Sequence, residues 1–318
     1  MHRIAFRCRA LSRENEPRVR PTVTAVIPTI GRPTLEGAVD SVLAQTFPVS
    51  EVIVVADREG TLPLPHDDRI VVLRSRGGQG PARCRQQGID AARGSVIALL
   101  DDDDTWYPEK LARQLSAVPQ NVDEWVGSSR VSVLGPGDKQ RVWPRQLIGP
   151  RDSVAEYLFR LRDPHVGGAL LQSSTLCFPT ELARQVRWDS DPDSVHDEAG
   201  WLLAVARSVP DVVWCQVPDV LSTYDVQGVS LSRSRQDRTA EYVGWGLGHL
   251  TGESPRVRGD YLCTSPVSAA VSAQSPAGVL RALTAGVRHG RPGIAALLYA
   301  VMNLGRAAAR RATAAVGR

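Results

Sequence analysis

Between residues 22 and 100 the chain repeats one pattern, a short apolar run rich in β-branched residues followed by a polar turn or a segment of helical spacing. VTAVIPT (23–29), EVIVVAD (51–57), RIVVLRS (69–75) and SVIALL (95–100) are continuously apolar in their centres. That continuity marks strands buried on both faces. GRPTLEGAVDSVLAQTF separates the first two, with Leu35, Ala38, Val39, Val42 and Leu43 at helical spacing, Thr34 as N-cap candidate and Pro48 beyond the end. GPARCRQQGIDAAR (80–93) reads as a second helix, entered from the loop Gly77-Gly78-Gln79-Gly80. Strands alternating with helices predict an α/β fold, a mostly parallel central sheet flanked by helices.

In such sheets ligands bind outside the carboxyl ends of the strands. The ends here offer Pro28-Thr29, Asp57 and the run Asp101 to Asp104. Asp residues favour turns and helix caps, so a solvated turn is one reading of the run. Four adjacent carboxylates at the mouth of a buried strand repel one another, however, and burial raises their pKa values unless a cation compensates. A hard divalent cation, Mg²⁺ or Mn²⁺, takes oxygen ligands and keeps positions for substrate phosphates. In an extended segment Asp101 and Asp103 share one side, and Asp102 and Asp104 share the other, where they serve the turn and the helix behind it.

Further along, PEKLARQLSAV is a helix with Pro108 at its first position. WVGSSRVSVLG (125–135) and KQRVWP (139–144) form a hairpin around Gly135-Pro136-Gly137, and DSVAEYLFRLRD is a short helix. HVGGALLQSSTLCFPTEL (165–182) reads as a loop, a strand and a helix start, and VVWCQVPDVLSTYDV (212–226) as two strands. HDEAGWLLAVARSV (196–209) is a helix with an acidic first turn. From about residue 233 the texture shifts to Arg, Ser, Gly and Ala with helical spacing. The expected divisions are a flexible basic leader over 1–21, a domain over 22–232 with halves at 22–115 and 116–232, and a mainly helical region over 233–318.

The 318 residues are 42% hydrophobic and 23% charged, which places the chain among globular proteins and excludes a disordered one. Six of the first 20 residues are Arg, and the last 40 are basic, patterns of solvated tails or of attraction to anionic membranes. Five scattered cysteines without a CxxC pair point away from a disulfide framework or zinc site. The Arg-interrupted opening carries no secretory signal, and IAALLYAVMNL (294–304) is short for a membrane span. A cytoplasmic protein is expected, with peripheral contact at the inner face of the membrane through the C-terminal helices as the further alternative.

VTAVIPTIGRPTLEGAVDSVLAQTFPVSEVIVVAD followed by GIDAARGSVIALLDDDDTWYPEKL resembles the N-terminal half of the inverting glycosyltransferases of family 2, closely over 22–115 and loosely over 116–232. The resemblance implies a Rossmann-like GT-A fold. It implies transfer of a sugar from a nucleotide-diphosphate donor to the hydroxyl of a glycan, lipid-linked or small-molecule acceptor, with inversion and with Mg²⁺ or Mn²⁺. No nucleic acid is implied.

By the same resemblance Pro28 and Thr29 line the nucleotide pocket, Asp57 meets the base, and Arg83 or Arg85 faces the nucleotide. Asp101 and Asp102 lie on the nucleotide sugar, Asp103 and Asp101 take the metal, and Asp104 is the substitute in that register. Glu198 is the general base, with Asp197 its rival. Where the family often has Val-Asp-Asp-Gly-Ser the chain has Val-Ala-Asp-Arg-Glu, and its acidic pair runs Asp-Glu rather than Glu-Asp. Trp106 is placed to pack or to stack on a sugar, Gln172 to Thr175 resemble an acceptor-side stretch, and Gly228 to Ser232 a loop near the diphosphate. A nucleotidyltransferase acting on sugar phosphates and a catalytically degenerate sugar-nucleotide-binding protein remain as alternatives. The first is poorly served by GRPTLEG, and the second is kept open by Ala56 and the reversed pair.

Overall fold

The computed structural model describes residues 20–135, 139–162, 168–188, 194–225 and 236–316. The leader through residue 19, the tip of the expected hairpin at Pro136-Gly137 and the loop Gly228 to Ser232 lie outside them. The first half runs β1 (Val23–Thr29), α1 (Leu35–Leu43), β2 (Glu51–Ala56), β3 (Ile70–Arg74), α2 (Gly80–Ala91), β4 (Val96–Leu99), β5 (Thr105–Trp106) and α3 (Lys110–Ser116). Then come β6 (Trp125–Gly135), β7 (Lys139–Trp143), α4 (Val154–Phe159), a 3₁₀ turn (Ser173–Thr175), β8 (Cys177–Pro179), α5 (Thr180–Gln185), α6 (Asp197–Ser208) and β9 (Val213–Asp225). Five helices close the described chain: α7 (Thr239–His249), α8 (Pro255–Leu262), α9 (Ser265–Ser272), α10 (Pro276–His289) and α11 (Ile294–Val316).

One sheet orders its strands β3-β2-β1-β4-β8-β6-β9-β5, with β7 beside β6. It is parallel through β3-β2-β1-β4 and again at β6-β9, while β8, β5 and β7 join antiparallel. The chain leaves β1 toward β2 and β3 on one side and returns to β4 on the other. The carboxyl ends of β1 and β4 therefore meet where the strand order reverses, which is where such sheets hold ligands.

The continuous apolar runs are buried on both faces, as strands covered by helices must be. Val26, Ile53, Val55, Ile97 and Leu99 face one core, shared with α2, α5 and α6. Ala25, Ile27, Val52 and Val54 face the other, filled by Leu35, Ala38, Val39 and Val42 of α1. A Cβ on Gly88 would lie 2.4 Å from Val26 Cγ1. Only glycine lets α2 come this close to β1, and that approach sets the position of Arg85 one turn earlier. The C-terminal helices are docked on this body: Trp245, Tyr261 and Leu262 enter the first core, with Phe159 edge-on to both aromatic rings.

Three local expectations are corrected. Thr34 precedes α1 but makes no side-chain cap bond. The stretch expected as two strands is one strand, β9, whose register with β6 shifts between Ser129 and Val131. Pro218, which has no N–H to donate, falls within that irregularity. The strand expected before Phe178 is mostly a 3₁₀ turn, because Gln172 to Thr175 bond to side chains across the cleft rather than to a neighbouring strand.

Candidate active site

The four aspartates do not form a solvated run. Asp102 is buried under the β1 end, where its carboxylate accepts hydrogen bonds from Thr29 Oγ1 at 2.6 Å and Arg32 Nη1 at 2.5 Å. Asp104 is buried on the opposite side and accepts from Gln172 Nε2 at 2.8 Å and Ser174 Oγ at 2.6 Å. Burial, and then the Asp101 charge, push its pKa well above the usual carboxylate range. Both side chains thus serve the turn. Asp102, expected on the nucleotide sugar, and Asp104, expected as the substitute on the metal, are held by these internal bonds from residues some 70 positions away.

Asp101 and Asp103 stay partly open, their side chains 25% and 33% exposed. Asp101 is held by Arg85 Nη2 at 2.5 Å, and its backbone N–H donates to Ser174 Oγ at 3.0 Å. Arg32 Nη1 lies 3.9 Å from Asp103 Oδ2. Burial, and next the Asp101 charge, raise the Asp103 pKa. A half-buried carboxylate beside like charges is short of cation, so the donor set suits a hard divalent ion. Among the described residues no three His, Cys, Asp or Glu side chains converge as a metal cage. Asp103, with Asp101 behind it, would hold a Mg²⁺ or Mn²⁺ ion only together with oxygens from a ligand, the way such ions commonly bind between carboxylate and phosphate.

Arg85 joins the two halves of the chain. Buried on α2, it reaches Asp101 with one nitrogen and, with Nη1 at 2.7 Å, Asp197 Oδ2 at the start of α6. Burial works against its charge, yet Asp101, Asp197 and Glu198 hold its pKa above the ordinary arginine value. Arginine's planar fork suits such a bridge better than a lysine point charge. The sequence left Arg83 and Arg85 open; Arg83 is exposed on the outer side of α2, and Arg85 is the one in the site.

Glu198 lies one residue beyond Asp197. Its Oε2 accepts from the Ser173 backbone N–H at 2.7 Å and from the Ser173 hydroxyl. Burial, followed by the Asp197 charge, lifts its pKa to about 7, against the opposing pull of Arg85 and Ser173. The 3₁₀ turn therefore clamps both ends of the site, Ser173 on Glu198 and Ser174 on Asp104. His196, just before the pair, sits among the rings of Tyr242, Trp245 and Tyr261, its Nε2 buried without a partner among the described residues. Burial drops its pKa to about 4, which keeps it neutral. Beside it opens a cleft of about 650 Å³ between α4 and helices α7, α9 and α11, lined in part by Tyr157, Arg160, Tyr242, Ser268 and Tyr299.

Other expected residues sit nearby, each with internal contacts. Asp57, expected at the base, accepts from Gln79 N–H at 3.0 Å, Gly80 N–H at 2.8 Å and the Ser75 hydroxyl, so it ties down the loop that opens α2. Pro28 and Thr29 are buried behind Asp102. Trp106 packs inside: its Nε1 donates to Ser174 O at 2.9 Å, and the buried Lys110 ammonium lies 4.2 Å from its ring centroid, which rules out the sugar-stacking role. Arg32 was missed as a site residue, while Ser173 falls within the stretch expected on the acceptor side. A cation just past the β1 end, in a sheet whose β4 end carries an aspartate run, was the available signal for Arg32.

Residues 24–174 match the family described as Glycosyl transferase family 2. That stretch, just under half of the chain, carries the sequence pattern of glycosyltransferase family 2. The chain is 32% identical over 112 residues to the amylovoran biosynthesis glycosyltransferase AmsB of Erwinia amylovora, covering 34% of this chain and 35% of AmsB. It is 38% identical over 104 residues to the succinoglycan biosynthesis protein ExoO of Rhizobium meliloti, covering 30% of this chain and 29% of ExoO. The matches span about a third of these relatives' lengths. Among solved structures, residues 1–349 of S. aureus TarS, crystallised with UDP-GlcNAc, superpose with a TM-score of 0.59 at 12% identity, over 85% of this chain and 82% of that one. That likeness is one of fold, and the fold is GT-A.

Proposed function

We propose that this family 2 glycosyltransferase moves a sugar from a nucleotide-diphosphate donor to an acceptor hydroxyl, with inversion at the anomeric carbon. The observation that carries the reading is the Arg85 bridge, which brings Asp101 at the β4 end and Asp197-Glu198 at the α6 start into one cluster. TarS was crystallised with a nucleotide sugar, and a donor of that class would lie against the β1 and β4 ends, where such sheets hold ligands.

Glu198 is the general base. Asp197 is spent on Arg85, whereas Glu198 keeps Oε1 clear of the hydrogen bonds that hold Oε2. A pKa of about 7 suits a base working near neutrality. Glu198 takes the acceptor proton as the hydroxyl oxygen bonds to the anomeric carbon, and the bond to the diphosphate oxygen breaks on the opposite face with its electron pair. A bound divalent cation would draw off the charge that develops on the leaving diphosphate. Arg32 adds fixed positive charge beside Asp103. The hydroxyl-rich cleft beside His196 offers partners for a polyhydroxyl acceptor, in keeping with relatives named for polysaccharide biosynthesis. Action on the cytoplasmic side, where such donors are made, completes the reading.

A melting-temperature screen of nucleoside diphosphates with and without Mn²⁺ tests it. Ligand at about a hundred times its Kd adds roughly 2.7 kcal/mol to the native state, a rise of several degrees. The rise is expected with metal present and absent in Asp103→Ala, which should itself fold normally because the Asp103 side chain is one-third exposed and Arg32 keeps its closer bond to Asp102. An undiminished rise in the variant would remove Asp103 from the metal.

A further inference from the structure

α10 and α11 rest on a small-residue core. Val279 and Ala282 from α10, and Ala296, Ala300 and Ala307 from α11, converge there with Val267 and Ala270 of α9. The opposite faces carry Leu280 and Val287 on α10, and Ile294, Leu298, Val301 and Met302 on α11. Each is more than half exposed, Ile294 by 77%. Positions 294, 298, 301 and 302 form one stripe on a helix. Single exposed aliphatic side chains are ordinary on a protein surface, and those of the sheet region are scattered. Six on two adjoining helices make a patch that calls for a partner.

The charge of this region is one-sided. From residue 261 onward the sequence holds seven arginines, no lysine, and no aspartate or glutamate. Arg281, Arg288, Arg291 and Arg306 are exposed on or between the same two helices, with Asp237 near Arg281. No helix among the described residues is long and apolar enough to cross a membrane.

We propose that the outer face of α10 and α11 docks on an anionic lipid bilayer, its aliphatic side chains at the headgroup and acyl boundary and its arginines on the lipid phosphates. A bilayer interface supplies both chemistries at once. A second copy of the chain supplies only the first: across a twofold axis the patch meets itself, and arginines would face arginines with no carboxylate from these helices between them. On the inner side of α11 the Tyr299 hydroxyl meets Ser268 in the cleft beside His196, 2.7 Å apart. The bilayer would then lie about one helix diameter, roughly 10 Å, from that cleft. This placing suits a lipid-linked acceptor, a consequence that rests on the proposed function, whereas the docking does not.

Flotation of the full-length protein with vesicles of equimolar phosphatidylglycerol and phosphatidylcholine, beside pure phosphatidylcholine vesicles, is the test. The protein is expected to float with the anionic vesicles only, and less in high salt. Leu298→Asp combined with Val301→Asp should cut partitioning on the order of tenfold. Arg288→Glu combined with Arg291→Glu should cut it by roughly fivefold or more per position. Neither double variant should change the melting temperature, since all four side chains are exposed. Failure of the wild type to float overturns the proposal, as does flotation undiminished in both variants. So does a dimer in solution that the aspartate variant dissociates, with no vesicle binding. Because Asp101, Arg85 and Glu198 are untouched, an inactive enzyme that still floats would count against the proposed function alone.

Discussion

Glu198→Gln lowers glycosyl transfer by roughly 10²- to 10⁴-fold, the usual contribution of a positioned general base, and leaves donor binding unchanged. The amide keeps an oxygen for the two Ser173 donors that now hold Oε2. It cannot take the acceptor proton. In the wild type, kcat/KM should fall as pH drops below about 7, because Glu198 must be ionised to act and its pKa is raised to about 7. Stability runs the other way. A carboxyl whose folded pKa exceeds its unfolded value favours the fold below the unfolded pKa, and that contribution is lost as pH rises through the folded one. At alkaline pH the Gln variant should therefore melt at or above the wild-type temperature. Donor titrations, pH-rate profiles and melting curves check the three statements. A variant of Asp197→Asn that alone abolishes transfer, with Glu198→Gln active, would move the base by one residue.

Arg85→Met is expected to be the most damaging single change to stability in the site. It leaves Asp101 and Asp197, with Glu198 close by, as neighbouring carboxylates without their shared cation. Removing one partner of a buried ion pair costs about 3–5 kcal/mol. The two carboxylates are about a quarter exposed, so the lower end of that range applies. The loss should be largest near neutral pH and shrink in acid, as protonation relieves the carboxylates. Arg85→Lys keeps a charge but cannot fork to both oxygens. It should recover most of the stability while transfer stays low, which separates holding the site together from holding it in shape. Denaturant unfolding at two pH values and single-turnover transfer measure the two parts. Equal recovery of both by lysine would reduce Arg85 to a charge.

The first half of the fold was legible because its signals are local. Continuous Val and Ile runs in β1, β2 and β4, and the spacing of Leu35, Ala38, Val39 and Val42, need no partner to be read. Both halves of the site were visible for the same reason: DDDD follows an apolar strand, and His196-Asp197-Glu198 opens a helix. The partition of the aspartates was only half legible. Alternation along an extended segment put Asp101 and Asp103 together, but the burial of Asp102 and Asp104 depends on Thr29, Arg32, Gln172 and Ser174, which are distant in the chain. A strand-end carboxylate such as Asp57 looks the same in sequence whether it meets a ligand, caps its own loop or does both. Trp106 was ambiguous until Lys110 and Ser174 enclosed it. The docking of the C-terminal helices was hidden too, since Trp245 and Tyr261 carry no mark of which core they enter.

The most direct measurement is proton NMR of the product formed from a panel of nucleotide sugars with defined anomeric linkage, in the presence of Mn²⁺ and a panel of hydroxyl acceptors. The expected result is release of nucleoside diphosphate with a product of the opposite anomeric configuration, lost in both Asp103→Ala and Glu198→Gln. A product that retains the donor's configuration, or full activity in either variant, would contradict a single displacement in which Asp103 holds the metal on the donor side and Glu198 is the base.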